Sequence, residues 1–212
     1  MNQPTVFIVD DDPDLRESLQ TLLSVLGYHV EGFDSAESFR KVYDPARPGC
    51  LILDIRMPGQ NGLDFYAELV RQGHRIPVIF ITGHADVSTA VAAMKTGAVE
   101  FLEKPFSQAT LSDRLEKALQ LDGVWRQSDA RFRELDEAIG RLGTNDRETL
   151  QLIFEGATNK TMSARLFITE RAVELRRQRL MQRLGVRSVP ELLELAITHR
   201  VLSEVRLLQR QP

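Results

Sequence analysis

Residues 5–27 read TVFIVDDDPDLRESLQTLLSVLG, and this stretch sets the fold class. Thr5–Val9 is a short run of β-branched and aromatic residues that ends in acid, the signature of a buried strand. Asp12-Pro13 then starts a helix. Asp is a good N-cap, and Pro suits the first helical position, where its missing N–H has no partner to lose. Leu15, Leu19, Leu22 and Leu23 recur at helical spacing, and Gly27 closes the element. An apolar strand followed at once by an amphipathic helix is the building unit of a parallel sheet covered on both faces.

The unit recurs along the chain. His29–Phe33 is a weaker strand, and Asp34 and Glu37 have capping-box spacing before the next helix. Cys50–Leu53 is a buried-strand run ending at Asp54. Met57-Pro58-Gly59 and Gly62 mark a loop before a helix over Leu63–Val70. Pro77–Ile81 is the most apolar strand; it ends at Thr82, and a helix follows over Asp86–Lys95. Glu100–Glu103 is short and precedes Lys104-Pro105, and a helix starts near Gln108. Five strands with intervening helices predict an α/β domain with a parallel five-stranded sheet. Residues 107–140 read as a joining helix that Gly123 could interrupt. Residues 144–200 show no strand alternation and read as four helices, near 145–156, 159–166, 170–184 and 189–200.

Composition bounds the function. The chain has 212 residues, 27% charged and 42% apolar, which suits one large or two small globular domains. No apolar run approaches the roughly 18 residues of a membrane helix. The N-terminus lacks the basic start of a secretory signal, so a cytoplasmic protein with no membrane partner is expected. The single cysteine, Cys50, excludes an internal disulfide framework and a Cys-based zinc site. The net charge of −3 hides an asymmetry: residues 1–120 hold 11 Lys/Arg against 17 Asp/Glu, whereas residues 144–212 hold 12 against 8. An acidic front and a basic back suggest two units with different partners.

In doubly wound sheets, ligands sit beyond the carboxyl ends of the strands, where the winding reverses. Asp10, Asp11, Asp54, Thr82 and Lys104 stand at or just after four such ends. Carboxylates converging there repel by roughly 4 kcal/mol per pair at 4 Å and an effective dielectric near 20. A hard divalent cation relieves this, and oxygen ligands favour Mg²⁺ (or Mn²⁺) over zinc. With Lys104 as a second positive group and Thr82 as a hydroxyl donor, one carboxylate can act as a nucleophile toward phosphorus. Asp54, the solitary acid of the third strand, is the best candidate. Asp after a strand is also a common cap or turn former, and Asp12 reads that way.

The motifs FIVDDD, LDIRMPGQNG, FITGH and EFLEKPF together resemble the receiver domain of bacterial two-component response regulators, over residues 4–121. The resemblance implies a flavodoxin-like (βα)5 fold with Asp54 as phospho-acceptor. It implies that Asp10, Asp11 and the backbone carbonyl of Arg56 hold Mg²⁺ with Asp54, and that Thr82 and Lys104 contact the phosphoryl group. Phe101 matches the aromatic switch position, Lys104-Pro105 a bond usually found cis, and His84 a position that can tune phosphoryl lifetime. The closest other chemistry is an Mg²⁺-dependent phosphohydrolase with an Asp nucleophile. That class needs a second acid two residues later, where this chain has Arg56. A slow covalent switch therefore fits better than an enzyme; at most it would label itself from small donors and slowly dephosphorylate.

Glu155–Gly185 has helix–turn–helix character, with Thr169 a plausible N-cap for an arginine-rich second helix. EGATNK, TERAVELR and RLGVRSVPELLELA resemble the LuxR/FixJ-type DNA-binding domain over residues 142–200. This places Lys160, Arg171, Glu174, Arg176, Arg177 and Gln178 as DNA-contacting candidates. Departures from the pattern are Phe167 where the turn usually has Gly, Ala172 for Thr, Arg176 for His, and Asn145-Asp146 for an Arg-Glu pair. A bulky residue at positive φ costs on the order of 1 kcal/mol, unless the turn is reshaped. In this family the last helix can pair two copies on DNA.

The expected organisation is a receiver over residues 1–121, a helical linker over 122–143 and an all-α, four-helix helix–turn–helix domain over 144–212. The expected function is transcription control. A sensor histidine kinase donates a phosphoryl group to Asp54, and the DNA-binding domain responds at a double-stranded promoter, with homodimers forming on phosphorylation. The alternative is a phosphorylation-controlled adaptor whose C-terminal domain binds protein.

Overall fold

The computed structural model describes residues 3–83 and 87–209. In chain order the elements are β1 (Thr5–Val9), α1 (Pro13–Val25), β2 (His29–Phe33), α2 (Ala36–Val42), β3 (Gly49–Asp54), α3 (Gly62–Arg71) and β4 (Val78–Thr82). There follow α4 (Val87–Lys95), β5 (Glu100–Glu103), α5 (Gln108–Gly140), α6 (Thr144–Phe154), α7 (Asn159–Leu166), α8 (Glu170–Arg183) and α9 (Val189–Gln209). The strands form one parallel sheet in the order β2-β1-β3-β4-β5.

Strands β1, β3 and β4 are buried along their whole length, and the pleat explains why no polar alternation appears. Phe7, Val9, Leu51, Leu53, Val78 and Phe80 face a core with Phe39, Phe65, Leu69 and Ala93. Val6, Ile8, Cys50, Ile52, Ile79 and Ile81 face the other, with Leu19, Leu23, Leu111 and Leu115. Alternate residues thus bury against α2, α3 and α4 on one side and α1 and α5 on the other. Each full burial contributes about 1.5–3 kcal/mol. β1 and β3 approach so closely at Gly49 that a Cβ there would lie 2.0 Å from the Thr5 carbonyl oxygen.

Local signals set the helix starts. Asp12 caps α1 through the N–H groups of Asp14 and Leu15, as its sequence predicts. The cap of α2 differs from the expectation. Ser35, with Ser38 at N3, makes the capping box, while Asp34 accepts from both serine hydroxyls at 2.9 and 2.7 Å. The Asp34–Glu37 spacing is there, but two serines one residue further along offer the shorter reach.

The chain divides into two compact units, residues 1–127 and 128–212. α5 runs from Gln108 to Gly140 without a break, so Gly123 does not interrupt it. A glycine inside a helix costs about 1 kcal/mol, and the residues beside it offset that. Asp122 is buried, accepts the Gly49 N–H at 2.9 Å and pairs with Arg126 at 2.8 Å. Arg126 donates to the carbonyls of Pro45 and Ala46 at 3.1 Å, and also to that of Arg47. Trp125 lies under the Arg75 guanidinium at 4.6 Å.

The second unit is all-α. Its core is Leu142, Leu152, Ile153, Met162, Val173, Leu180 and Leu192. The residue-129–136 stretch of α5 packs on α9: Phe132 stacks on His199, whose Nε2 meets Asp136 Oδ1 at 2.9 Å. α9 runs to Gln209, further than the apolar pattern to residue 200 indicates.

Candidate functional site

The sheet register assembles the acid site. Val9 pairs with Leu53 across β1 and β3, so the next residues, Asp10 just past β1 and Asp54 at the last position of β3, stand side by side at the reversal of winding. They are 1% and 5% exposed. Lys104 follows β5, and its N–H donates to the Thr82 carbonyl at 2.8 Å. Its Nζ donates to Asp10 Oδ2 at 2.9 Å and to Asp54 Oδ1 at 2.8 Å. The remaining carboxylate oxygens accept backbone N–H groups: Asp12 on Asp10 Oδ1 at 2.9 Å, and Arg56 on Asp54 Oδ2 at 2.8 Å. Thr82 is buried at the end of β4. The loop after Asp54 closes back tightly, since a Cβ at Gly62 would sit 2.1 Å from the Asp54 carbonyl oxygen.

Two buried carboxylates therefore share one ammonium. Burial, and next the charge of Asp10, hold the Asp54 carboxyl above the usual aspartate range, against the opposing pull of Lys104 and the Arg56 N–H. Burial disfavours the Lys104 charge, but its hydrogen bonds to Asp54 and Asp10 outweigh this and raise its pKa overall. Asp11 does not join the pair; it is exposed. Among the described residues, no three His, Cys, Asp or Glu side chains come together as a metal cluster. Of the three carboxylates expected here, Asp10 and Asp54 meet at Lys104, and Asp11, the next residue after Asp10, stands exposed beside them. The site still carries one net negative charge and offers only oxygen donors, which fits a hard divalent cation.

Phe101 is half-buried on β5, paired in register with Phe80 and packed on the core shared with α3. The Lys104-Pro105 bond is cis. His84 lies outside the described residues. Sequence reasoning missed Arg16, whose Nη1 donates to the Asp10 carbonyl at 2.7 Å. Its place one turn into the capped helix α1 is the only signal for it.

In the second unit, Thr169 caps α8 through the Ala172 N–H at 3.2 Å. Val173 and Leu180 mark the buried face of α8. Arg171, Glu174 and Gln178 are exposed and project from its other side, with Leu175 beside them. Lys160 is exposed at the start of α7. Arg176 and Arg177 are half-buried, and Arg177 Nη1 donates to Asn159 Oδ1 at 2.6 Å. Arg176 and Arg177 thus differ in exposure from Arg171, Glu174 and Gln178, with which the sequence resemblance groups them as DNA-contacting candidates. Phe167 ends α7 in the left-handed region, φ 53° and ψ 42°, with its side chain 93% exposed. The turn keeps its geometry and accepts the bulky residue.

Comparison with known proteins covers both units. Residues 6–116 match the response regulator receiver domain, and residues 141–196 match the bacterial regulatory proteins of the luxR family. Response regulator protein TodT of Pseudomonas putida is 37% identical over 196 residues, spanning 92% of this chain and 86% of TodT. Transcriptional regulatory protein FixJ of Azorhizobium caulinodans is 39% identical over 193 residues, 91% of each chain. The solved structure of response regulator StyR matches with a TM-score of 0.84 and 41% identity, over 92% of this chain and 98% of StyR.

Proposed function

Because the chain belongs to the response regulators that join a receiver domain to a LuxR-type DNA-binding domain, we propose that Asp54 is its phospho-acceptor and the outer side of α8 its DNA-reading surface. The protein is a phosphorylation-switched transcription regulator and not an enzyme. Its domains imply a histidine kinase on one side and DNA on the other. The receiver is assigned residues 1–121, the linker 122–143 and the DNA-binding domain 144–212.

The shared ammonium of Lys104 carries the reading of the acid site. A carboxylate oxygen of Asp54 attacks phosphorus; an O–P bond forms, and the bond from phosphorus to the donor, a kinase imidazole, breaks. The imidazole keeps the electron pair and takes a proton from solvent. Lys104 then turns from the carboxylates to the phosphoryl oxygens, and the Thr82 hydroxyl donates to them. Asp10, Asp54 and the Arg56 carbonyl, with Asp11 beside them, would hold Mg²⁺ or Mn²⁺. When bound, the ion offsets the negative charge that the acids and the phosphoryl group bring together. Arg56 stands where a hydrolase would carry its base, so the phosphoaspartate persists long enough to signal.

The phosphoryl group adds about −1.5 to −2 of charge. Movement of Thr82 and Lys104 toward it shifts Phe101 and the surface of α4 and β5, which favours homodimers or releases the DNA-binding domain. There, Lys160 meets phosphate, Arg171, Glu174 and Gln178 face the groove, and Arg176, half-buried like Arg177, flanks them. Incubation with acetyl phosphate and Mg²⁺, followed by intact-mass measurement, tests the acceptor. A gain of about 80 Da, lost in Asp54→Asn, is expected. Equal labelling of that variant would overturn the assignment.

A further inference from the structure

α8 carries an arginine on its inner side, and its partner is a side chain of α7. Val173 and Leu180 are fully buried. Arg177 lies four residues after one and three before the other, so it shares their face rather than that of Arg171 and Gln178. Its exposure agrees: Arg177 is half-buried, whereas Gln178 and Arg179 are exposed. Arg176, three residues after Val173 and four before Leu180, is half-buried likewise, and what sets Arg177 apart is its bond across to α7. The hydrogen bond from Nη1 to Asn159 Oδ1, at 2.6 Å, crosses from the middle of α8 to the first residue of α7. Asn159 follows the N-cap Thr158, whose hydroxyl accepts the Thr161 N–H at 3.2 Å. Lys160, the exposed cation assigned to phosphate, is the next residue.

We propose that Arg177 is a positioning residue for DNA binding, which, through its bond to Asn159, fixes the start of α7 against α8 and so holds Lys160 in register with the outer side of α8. This rests on the reading that α8 docks on DNA. A single donor–acceptor pair then sets the spacing between a phosphate-binding cation on one helix and the base-reading side chains on the next. Phosphate contacts fix register on the duplex while base contacts specify sequence. A guanidinium that fixes the first relative to the second affects affinity without touching the nucleic acid.

The test uses the full-length protein and a duplex selected by it from random sequence. Affinity is measured against salt for the unaltered chain and for Arg177→Met, Asn159→Ala, the double variant, Arg177→Lys and Lys160→Ala. Circular dichroism confirms that each is folded. Arg177→Met and Asn159→Ala should each weaken binding by roughly three- to tenfold, and the double variant by no more than either, because contacting partners couple. The salt slope and the preferred sequence should stay as in the unaltered chain. Lys160→Ala should flatten the slope by about one unit, and its loss in affinity should shrink in the Asn159→Ala background. Arg177→Lys, which keeps a donor, should recover part of the binding and so keeps the proposal testable if Arg177→Met fails to fold. Additive losses, or a slope about one unit shallower for Arg177→Met, would mean that Arg177 itself meets phosphate and would overturn the proposal while leaving the function intact. No binding of any duplex by the unaltered chain would remove both.

Discussion

The two ends of the sheet treat their charges in opposite ways. At the carboxyl ends of the strands, Asp10 and Asp54 are both buried and share the single ammonium of Lys104. Toward the amino ends, Asp122 has the guanidinium of Arg126 and the Gly49 N–H, and Glu31, midway along β2, has that of Arg47, which precedes β3. Among the described residues, one end sets two buried carboxylates on one ammonium, whereas Asp122 and Glu31 each have an arginine of their own. The difference marks where the molecule works. A buried charge left short of partners costs stability, and a fold retains that cost where an incoming ligand relieves it. The turn at Phe167 in the second unit belongs with the first kind. Its left-handed backbone draws little from side-chain packing, because the residue is 93% exposed.

The largest expected effect comes from breaking the neutralised end. Arg126→Met strands the buried Asp122 carboxylate and removes three carbonyl partners from the loop before β3. Removing one member of a buried pair costs about 3 kcal/mol. Urea unfolding should show that loss in the receiver transition, and Asp122→Asn added to Arg126→Met should recover much of it, since a neutral amide leaves no orphaned charge. An equal loss in both would show that packing, not charge, holds the loop to α5.

The working end should respond with the opposite sign. Burial and Asp10 hold the Asp54 carboxyl above its usual range, so its ionised form weakens the fold at neutral pH. Asp54→Asn should therefore raise the melting temperature by roughly 2–4 °C, the shift that about 1 kcal/mol makes in a chain of this size, while abolishing phosphorylation. A lower melting temperature would show that the bond to Lys104 outweighs desolvation, and the contrast between the two ends would fail. Phe167→Gly sharpens the same contrast in the second unit. It removes the left-handed strain but adds unfolded-chain entropy, for a net gain of about 0.5–1 kcal/mol. Thermal unfolding of the second unit checks the sign.

The working end was legible in the sequence, and the neutralised end was not. Asp10, Asp54 and Thr82 each follow a run of apolar residues and Lys104 follows the short strand Glu100–Glu103, and in a parallel sheet strand ends are neighbours by construction. Reading the strands was therefore enough to bring these residues together. Asp10 and Asp11 show the limit: the apolar run tells where the strand stops but not that the first of the two acids is buried and the second exposed. Arg126 bonds backbone carbonyls some 80 positions earlier, and no spacing rule connects a helix residue to a loop so distant. Arg177 is a different case. The resemblance groups it with the DNA-contacting candidates of α8, and its bond to Asn159 on another helix is one that no spacing within α8 announces.

The smallest effect concerns pH. The hydrogen bond from Arg47 is the main reason that the Glu31 carboxyl sits below the usual glutamate range, against a smaller opposing effect of burial. A carboxylate whose pKa falls on folding stabilises the fold above its unfolded value, and that stability fades as pH drops through the folded value. The pair is partly exposed, so its contribution is about 0.5 kcal/mol. Glu31→Gln should lower stability by about this amount at pH 7 and make no difference once the pH is well below 4. Asp54→Asn should behave in reverse: its advantage is full at neutral pH and shrinks as acid protonates Asp54. The two variants, followed by urea unfolding across the same acid range, should therefore converge on the unaltered protein from opposite sides. Curves that stay parallel instead would show that neither difference comes from ionisation, and the contrast between the ends of the sheet would then be one of packing alone.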